Sequence, residues 1–450
     1  MMIRTDKLGV TSVVRSLGFN GGSYDPLIDY FRSDAWKLSD LENCWWKYVS
    51  ENAPIAYYNG AAVLVGDGIK KDKEGRRMPG VKRQYQESEN SSKAETIWGQ
   101  MYGCVGALAE AEGKTFCIPL ACELHDGVKE ILSWDEETVQ GYRQGSHTVE
   151  LVSLAHHMTK SFHNAILLLD RYYLTVPALE RLDALNAGGG GLRAIIMAKA
   201  NVIGYEPPAI REKGARGRPP IKGKTVKLAG LFVTDVDKFT QCNTVLYGKE
   251  TSLRYLVKDL LWGREVYRKI RFVLVEIGAR RVIIASTDTR IDPVAIIELY
   301  AKRFSIECTF KSMKNDAAAF SNRFWSSCMP LLNRYSKKDE ADRTKTIKKE
   351  HERKCVRKSL DATEGYVFCG AVATGLLQMI SMMHIGKDTK KMLRYQRTPS
   401  RTAVSEATVS EYMTKNLFRL LANDRDLTIC KIIYEKMEAY NNGFIDTEAS

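Results

Sequence analysis

Hydrophobic residues in the first half of the chain form short runs that end in polar residues. The runs AAVLVGD and NAILLLD each end in a carboxylate, Asp67 and Asp170, and short apolar runs of this kind are typical of buried strands. Further strands are predicted at WGQMYGCVGAL, TFCIPLACEL and LRAIIMAKA, and helices at TVELVSLAHHMTKSF and VPALERLDALNA. The order β-β-β-α-β-α-β predicts a mixed α/β layer structure over residues 59–200.

The pattern differs on both sides of this region. Residues 1–58 are mixed in character and predict a helical segment. Residues 201–286 contain the runs VKLAGLFV, TVLYGKE, RFVLVEI and RVIIAST, which predict a β-rich insertion before a helical region at 287–335. Residues 336–450 begin with a charged stretch that is compatible with a solvated linker or a DNA contact. They continue as AVATGLLQMISMM, which predicts a buried helix too short and too polar to span a bilayer.

A helix is predicted to begin at Pro293, because proline suits the first helical position and Asp292 before it can cap the helix. Its core side is predicted to hold the following residues: Ile296, Ile297, Phe304, Phe310 and Met313. At about 100° per residue, a stripe about 60° wide carries four other side chains: Tyr300, Arg303, Glu307 and Lys314. Lys311 lies close to this stripe. The stripe has two possible interpretations. It is either a solvated helix face with ordinary i,i+4 pairs, or a site in which a metal-binding carboxylate lies beside phosphate-binding cations.

The composition favours a globular protein that binds a polyanion. Of the 450 residues, 44% are hydrophobic, and the formal net charge is +13. A basic excess of this size favours nucleic acid as the partner, although a basic metabolic enzyme would also show it. The ten cysteines include no C-x-x-C pair, and the N-terminus has no signal-peptide core. We therefore expect reduced thiols and a cytosolic protein.

Three carboxylates have the types and positions that a two-metal phosphoryl-transfer site requires. Asp67 and Asp170 follow apolar strands, and Glu307 lies on the predicted helix. Mg²⁺ and Mn²⁺ prefer hard oxygen ligands, and a pair of ions about 3.5–4 Å apart can hold the attacking and leaving oxygens of a phosphodiester. We therefore predict that these three residues are catalytic and bind two Mg²⁺ or Mn²⁺ ions.

Four stretches of the chain resemble a known family. The spacing Tyr-x2-Arg-x3-Glu-x6-Lys from Tyr300 to Lys314, together with LVGDG, LLLDRYYLT and FWSSCMP, resembles the DDE transposases of the bacterial insertion-sequence family called IS-four. The resemblance covers residues 61–330. It implies an RNase H-like core that carries Asp67, Asp170 and Glu307. It also implies a β insertion domain in the long gap before Glu307, which agrees with the β-rich block at 201–286.

The resemblance also implies an activity and partners. Such an enzyme cleaves the ends of an insertion sequence and joins the 3′-OH to target DNA. Its partners are double-stranded DNA, as terminal inverted repeats and target, and a second copy of the chain in the DNA complex, with no membrane. We expect it in the bacterial cytoplasm, associated with the nucleoid. The residues expected to bind DNA are Tyr300, Arg303, Lys311, Lys314, Arg171, Arg216 and Arg218, the last two in a basic RGRPP loop.

Two residues depart from the family pattern, and two others, Asp288 and Trp262, each have two competing interpretations. Tyr85 and Tyr172 stand where relatives commonly have other residues. Asp288 also follows an apolar run, but it lies just ahead of the helix whose Glu307 is about 21 Å further along the axis, so Asp170 is the better ligand. Trp262 is in the insertion, where relatives use an aromatic residue to stack on a flipped base; core packing is the simpler interpretation.

Two other classes of protein remain as alternatives. One is a domesticated, non-catalytic DNA-binding protein, although all three carboxylates are present. The other is a structure-specific nuclease on the same fold. Inverted repeats flanking the gene would favour the transposase. The histidines show no spacing typical of a metal site, and His156 and His157 on the predicted helix are expected to be structural.

Overall fold

The computed structural model describes residues 1–3, 6, 9–86, 94–111, 113–134, 143, 145–189, 191–210, 219–335, 342–385 and 403–422. The helices in these ranges are α1 (Val10–Ser16), α2 (Tyr24–Arg32), α3 (Leu38–Asn52), α4 (Lys129–Leu132), α5 (His147–Phe162), α6 (Val176–Ala187), α7 (Leu231–Thr234), α8 (Pro293–Ala301), α9 (Ser305–Asn315), α10 (Glu350–Met383) and α11 (Glu406–Ala422). Short 3₁₀ turns include Arg171–Tyr173 and Lys302–Phe304.

The described strands belong to one 13-stranded mixed sheet. They are β1 (Tyr57–Tyr58), β2 (Ala61–Asp72), β3 (Lys82–Tyr85), β4 (Thr96–Ala111), β5 (Lys114–Leu124), β6 (Asn164–Leu169), β7 (Gly191–Met197), β8 (Ile203–Tyr205), β9 (Thr225–Lys227), β10 (Thr240–Leu246), β11 (Lys249–Trp262), β12 (Arg268–Ile277) and β13 (Arg280–Ser286). The predicted α/β class is therefore confirmed.

Strand β2 lies at the centre of the part of the sheet that carries the predicted carboxylates. It is antiparallel to β4, which is antiparallel to β5. On its other side β2 is parallel to β6, which is parallel to β7. The spatial order is thus β5-β4-β2-β6-β7. Strand β13 pairs with β7, followed by β12 and β11, so the β-rich block continues the same sheet.

Both faces of β2 are covered, because its side chains alternate between two hydrophobic clusters. Leu64 packs on one face in a cluster that includes residues of α5 and α6. A Cβ on Gly66 of that face would come 2.9 Å from Leu151 and from Leu169, so glycine allows α5 to approach closely. Val65 packs on the opposite face with residues of α8 and α9, the two helices in the region predicted to carry Glu307.

Helix α10 confirms the predicted buried helix but not its predicted length. The 34 residues of Glu350–Met383 make it long and apolar enough, by length and composition, to cross a bilayer, yet 67% of its most apolar window is buried in the fold. The helix is longer than the apolar run suggested because buried residues at helical spacing, Val356, Leu360 and Val367, extend it toward its N-terminus.

Several strand predictions are wrong in detail. The run VKLAGLFV is mostly helical turns, because its buried residues Leu228 and Phe232 are four positions apart rather than alternating. The run TVLYGKE is the hairpin between β10 and β11, with a turn at Tyr247 and Gly248, both of which have positive φ. Strand β2 does not end at Asp67, because β4 supplies backbone partners as far as Asp72.

Two cysteines that the spacing left unassigned are opposite each other in the sheet. Cys104 of β4 pairs with Cys122 of β5, and the two form a disulfide. The expectation that all thiols are reduced is therefore wrong for this pair. Sequence spacing does not reveal this neighbour relation, because it depends on strand register.

The buried centre of β2 gives a first prediction. Leu64 is fully buried, so Leu64→Ala should lower the free energy of unfolding by about 2–5 kcal/mol through the cavity it leaves. Val233→Ala, at a residue that is 70% exposed, should change it by less than about 0.5 kcal/mol. Urea unfolding followed by circular dichroism measures both. Equal unfolding midpoints for the two variants would contradict the placement of β2 in the core.

Candidate active site

The register of two parallel strands brings Asp67 and Asp170 together. Strands β2 and β6 pair from Ala62 with Ala165 to Val65 with Leu168. Continued by two residues, this register places Asp67 beside Asp170, on strands about 4.8 Å apart and with both side chains on the same face. The charge of Asp170 is close enough to raise the pKa of Asp67. The structure thus juxtaposes the two predicted aspartates.

Asp67 is a largely buried carboxylate. Its side chain is 22% exposed, and it accepts a hydrogen bond of 2.8 Å from the backbone N–H of Gly68. Burial raises its pKa above the ordinary value, although the Arg303 guanidinium acts in the opposite direction. A carboxylate in this position therefore depends on a neighbouring cation to remain charged.

Asp170 caps the 3₁₀ turn that follows β6. Its carboxylate accepts a hydrogen bond of 2.7 Å from the N–H of Arg171, whose side chain is exposed. Tyr173 in the same turn is buried, and burial together with the charge of Asp67 raises its pKa. The turn therefore fixes Asp170 at the end of the strand while leaving Arg171 accessible.

The predicted Glu-bearing helix consists of two helices joined by a 3₁₀ turn. Helix α8 begins at Pro293, and the Asp292 side chain caps it by accepting the N–H of Ala295 at 3.0 Å, as predicted. The turn Lys302–Phe304 shifts the helical phase, since a 3₁₀ turn has fewer residues than an α-turn. Phe304 is consequently 55% exposed, and its predicted core position is wrong. The other predicted core residues are buried: Ile296, Ile297, Phe310 and Met313.

Arg303 connects two of the three carboxylates. Its Nη1 donates to Asp67 Oδ2 at 3.0 Å, and its Nη2 donates to Glu307 Oε1 at 2.9 Å. The second contact is the i,i+4 pair expected on a solvated helix face, whereas the first joins residues 236 positions apart in sequence. Burial acts to lower the pKa of Arg303, but the surrounding negative groups hold it above its ordinary value. The guanidinium thus neutralises the carboxylate cluster.

Tyr300 also faces this cluster. Its residue is 9% exposed, and its hydroxyl has no hydrogen-bond partner among the described residues. Burial raises its pKa, and the charges of Asp170 and Asp67 add to the rise. The phenol is therefore a neutral donor at the carboxylates, available for an acceptor that enters the site.

Tyr247, at the tip of the β10–β11 hairpin, lies near enough to contribute to the raised pKa of Tyr300. It is 69% exposed. Sequence patterns do not predict that Tyr247 lies near the site, because its placement depends on how the hairpin packs on α8. Thr244 of the hairpin hydrogen-bonds Glu298 of that helix.

The remaining predicted DNA-binding residues divide into two groups. Lys311 and Lys314 are exposed on α9, one and two turns beyond Glu307. They extend the stripe that begins at the site. Arg216 and Arg218 lie outside the described residues, and the prediction of a minor-groove loop stays a prediction.

The competing carboxylate Asp288 is away from the site. Strand β13 pairs with β7, and this register, continued by two residues beyond Ser286, places Asp288 beside Arg193. Arg193 in turn pairs with Ile166 of β6. That position is four residues before Asp170, or about 13 Å along the strand. Asp288 is also paired with Arg290 at 3.0 Å and Arg193 at 3.2 Å, and the bond from Arg290 lowers its pKa. This geometry supports the choice of Asp170.

Trp262 and two histidines have structural surroundings. Trp262 is half-buried against the core cluster on the α6 side. The His157 ring packs edge-on against Trp46 at 5.6 Å, and burial lowers its pKa to about 4. Burial also lowers the pKa of His156. Their predicted structural role is consistent with these contacts.

The donor chemistry of the site suits a divalent cation. Two in-register aspartates and a glutamate supply hard oxygen ligands, and the cation that now joins two of them is a guanidinium. Arg303 donates to one oxygen of Asp67 and one of Glu307, so an ion bound between these two carboxylates would compete with the guanidinium for the same oxygens.

A scan against protein-family models and a search of curated proteins both find no match to this chain.

A second group of buried acidic residues lies at the β5 side of the sheet. It is centred on Arg143, which binds Glu364 at 2.7 Å and lies 3.5 Å from Glu123. Nearby, Glu150 is 3.9 Å from His125, and burial lowers the pKa of His125 to about 3, so this histidine is neutral. Burial raises the pKa of Glu150 to about 7. These residues are too far apart in sequence for periodicity to group them.

The competition between Arg303 and a metal ion gives a second prediction. Arg303→Ala should bind Mn²⁺ more tightly than the wild type, because no guanidinium then has to be displaced from the carboxylates. Lys302→Ala is the matched control, since Lys302 loses the same charge but pairs with Glu110 at 2.7 Å. Isothermal titration calorimetry measures both affinities. Equal Mn²⁺ affinity of Arg303→Ala and the control would contradict this competition.

Glu150 gives a prediction of pH dependence. Its folded pKa of about 7 exceeds its unfolded value of 4.5, so the folded state binds more protons between these values and its stability falls as pH rises. Glu150→Gln removes this penalty. Relative to the wild type, the variant should gain roughly 2 kcal/mol in unfolding free energy between pH 5 and pH 8. A difference between the two proteins that is constant with pH would contradict the raised pKa.

Proposed function

We propose that this protein is a DNA transposase of the DDE type, which cleaves the ends of an insertion sequence and joins the 3′-OH to target DNA. The observation that carries the proposal is the register of β2 on β6, which sets Asp67 beside Asp170 and facing the helix of Glu307. The motifs around these residues are the ones that resemble the transposase family.

The sheet supports an RNase H-like core as part of this proposal. Such a core has its first strand in the middle, with an antiparallel meander on one side and parallel strands on the other. The order β5-β4-β2-β6-β7 has this arrangement, with α5 before β6 and α6 before β7. On this proposal, residues 201–286, which contain β8 to β13, are the insertion, and they precede the helices that present Glu307.

Asp67, Asp170 and Glu307 would hold two Mg²⁺ or Mn²⁺ ions. When bound, these ions supply a nucleophile at neutral pH and neutralise charge on the reacting phosphate. The rigid strands fix the spacing of the two aspartates, and α9 packs on the face of the sheet that carries them and brings the glutamate to that face. The side chain of Asp67 is 22% exposed, so its oxygens would bind an ion with reduced competition from water.

The cations and phenol of the stripe would bind and orient DNA. Arg303, once released from the carboxylates, has two amino groups for the oxygens of one phosphate. Lys311 and Lys314 would hold the phosphates that follow, since both are exposed on the same helix. The buried Tyr300 hydroxyl would donate to a phosphate oxygen that reaches the site. Removing these donors should weaken stabilisation of the charge that develops during phosphoryl transfer.

The basic charge of the chain supports a DNA partner. With 67 basic and 54 acidic residues, we expect affinity for terminal inverted repeats and target DNA to fall steeply with salt. The two ends of one element must be held together, so a homodimer is expected at least in the DNA complex. A bacterial cytoplasmic protein associated with the nucleoid fits these partners.

Cleavage of a labelled duplex that carries the repeat flanking the gene tests the function. Glu307→Gln keeps the shape of the side chain and removes its charge, so Mg²⁺-dependent cutting should fall by at least about 100-fold while DNA binding is kept. Asp288→Asn is the control, because Asp288 is about 13 Å along the strands from the site. It should cut like the wild type.

Each other outcome has a definite meaning. Equal cutting by the wild type and Glu307→Gln would show that Glu307 is not part of the catalytic site. Tight repeat binding with no cutting by the wild type would favour the domesticated DNA-binding protein. Cutting that depends on DNA structure rather than on the repeat, and that is never followed by strand joining, would favour the nuclease.

A further inference from the structure

An aromatic pair lies beside Asp170 that the triad does not use. Tyr172 is two residues beyond Asp170, in the turn Arg171–Tyr173. Its ring stacks on His147 with 5.1 Å between ring centroids and 2° between ring planes, and its hydroxyl hydrogen-bonds His147 Nε2. The two residues are 25 positions apart in sequence. The pair is therefore formed by the fold.

The pair is firmly held and yet accessible. Tyr173 packs edge-on against Tyr172 at 5.6 Å, and Thr148 beside His147 contacts Thr175 at 3.4 Å. Tyr172 nevertheless remains 41% exposed, whereas Tyr173 is 3% exposed. A large aromatic ring is thus kept in one orientation at the surface, so little conformational entropy would be lost on binding a flat partner.

Charged side chains lie close to this pair. Burial lowers the pKa of His147, the nearby charge of Asp126 opposes that shift, and the charges of Lys129, Lys82 and Lys70 add to it. Lys82 is paired with Asp126 at 2.5 Å, so Lys129 and Lys70 are the cations that this aspartate does not pair with. Lys70 is three residues beyond Asp67 on β2 and donates to the backbone carbonyl of Tyr85 at 2.6 Å. Among the described residues, this bond to a neutral carbonyl is the hydrogen bond that Lys70 donates, so its positive charge stays beside the pair. Positive charge interleaved with exposed aromatic rings is the arrangement that single-stranded nucleic acid binds.

We propose that the His147–Tyr172 ring pair is a stacking platform for an unpaired base of a DNA strand whose phosphate lies at Asp170. The neighbouring lysines hold the phosphates of that strand. This inference rests on the proposed function, which it extends by naming a base-contacting residue on the strand-end turn. Tyr172 is one of the two residues at which the motif departs from its relatives, so the platform would be particular to this chain.

The alternative is that the pair only fastens the turn that carries Asp170. The two ideas differ in what they require of Tyr172. A fastening role needs the hydroxyl that binds His147, whereas a platform needs the π face of the ring. Tyr172→Phe removes the first and keeps the second. Tyr172→Leu removes both but keeps an apolar side chain of moderate size.

Binding of a short single-stranded oligonucleotide that contains the fluorescent base 2-aminopurine tests the platform. The full-length wild type should bind it and quench its fluorescence through stacking. Tyr172→Phe should bind and quench like the wild type. Tyr172→Leu should bind about 5- to 100-fold more weakly and lose the quenching. Lys70→Ala should weaken binding of every sequence alike and reduce the salt dependence by about one phosphate contact.

Tyr57→Leu is the matched control. Tyr57 is 53% exposed but pairs with Ala62, five residues before Asp67 on β2, or about 17 Å away. It should bind like the wild type. Unchanged binding and quenching by Tyr172→Leu would overturn the platform, as would a wild type that binds no single strand. The proposed function is tested separately by the dependence of duplex cutting on Glu307. A failure of the platform can therefore be told apart from a failure of the proposed function.

Discussion

The parallel pairing of β2 with β6 is the contact on which the site depends. It determines that two aspartates 103 residues apart in sequence are neighbours on one face of the sheet. A shift of one residue in this register would turn one carboxylate to the opposite, apolar face. The register is fixed by burial of both faces of β2, since Leu64 and Val65 pack in different clusters. The hydrophobic core is thus what holds the spacing of the acidic pair.

Asp67 is largely buried, and burial together with the nearby charge of Asp170 raises its pKa. Arg303 counteracts this effect, because its guanidinium donates hydrogen bonds to both Asp67 and Glu307. The same residue belongs to the stripe that is proposed to meet phosphate. A guanidinium that can exchange carboxylates for a phosphate oxygen would couple entry of metal and DNA to one side-chain movement.

Local patterns predicted the local elements, and the ends of two apolar runs indicated the aspartate pair. The helix at Val176–Ala187 and the cap at Asp292 follow from residues within a few positions of each other. The i,i+4 pair of Arg303 and Glu307 is likewise a matter of helical spacing. The contact of Arg303 with Asp67 is not, because it depends on how α8 and α9 pack on β2. Strand β11 was missed because its charged and apolar residues neither alternate nor form one apolar run.

The location of a bound metal ion tests the central claim most directly. Crystals of the protein with Mn²⁺ and repeat DNA would give an anomalous scattering map that identifies the ion without ambiguity. We predict a peak between the carboxylates of Asp67 and Asp170, within about 2.5 Å of an oxygen of each, with Arg303 moved away from Asp67. A peak at Asp288 or at the buried glutamates near Arg143, with Arg303 still joining Asp67 and Glu307, would contradict it.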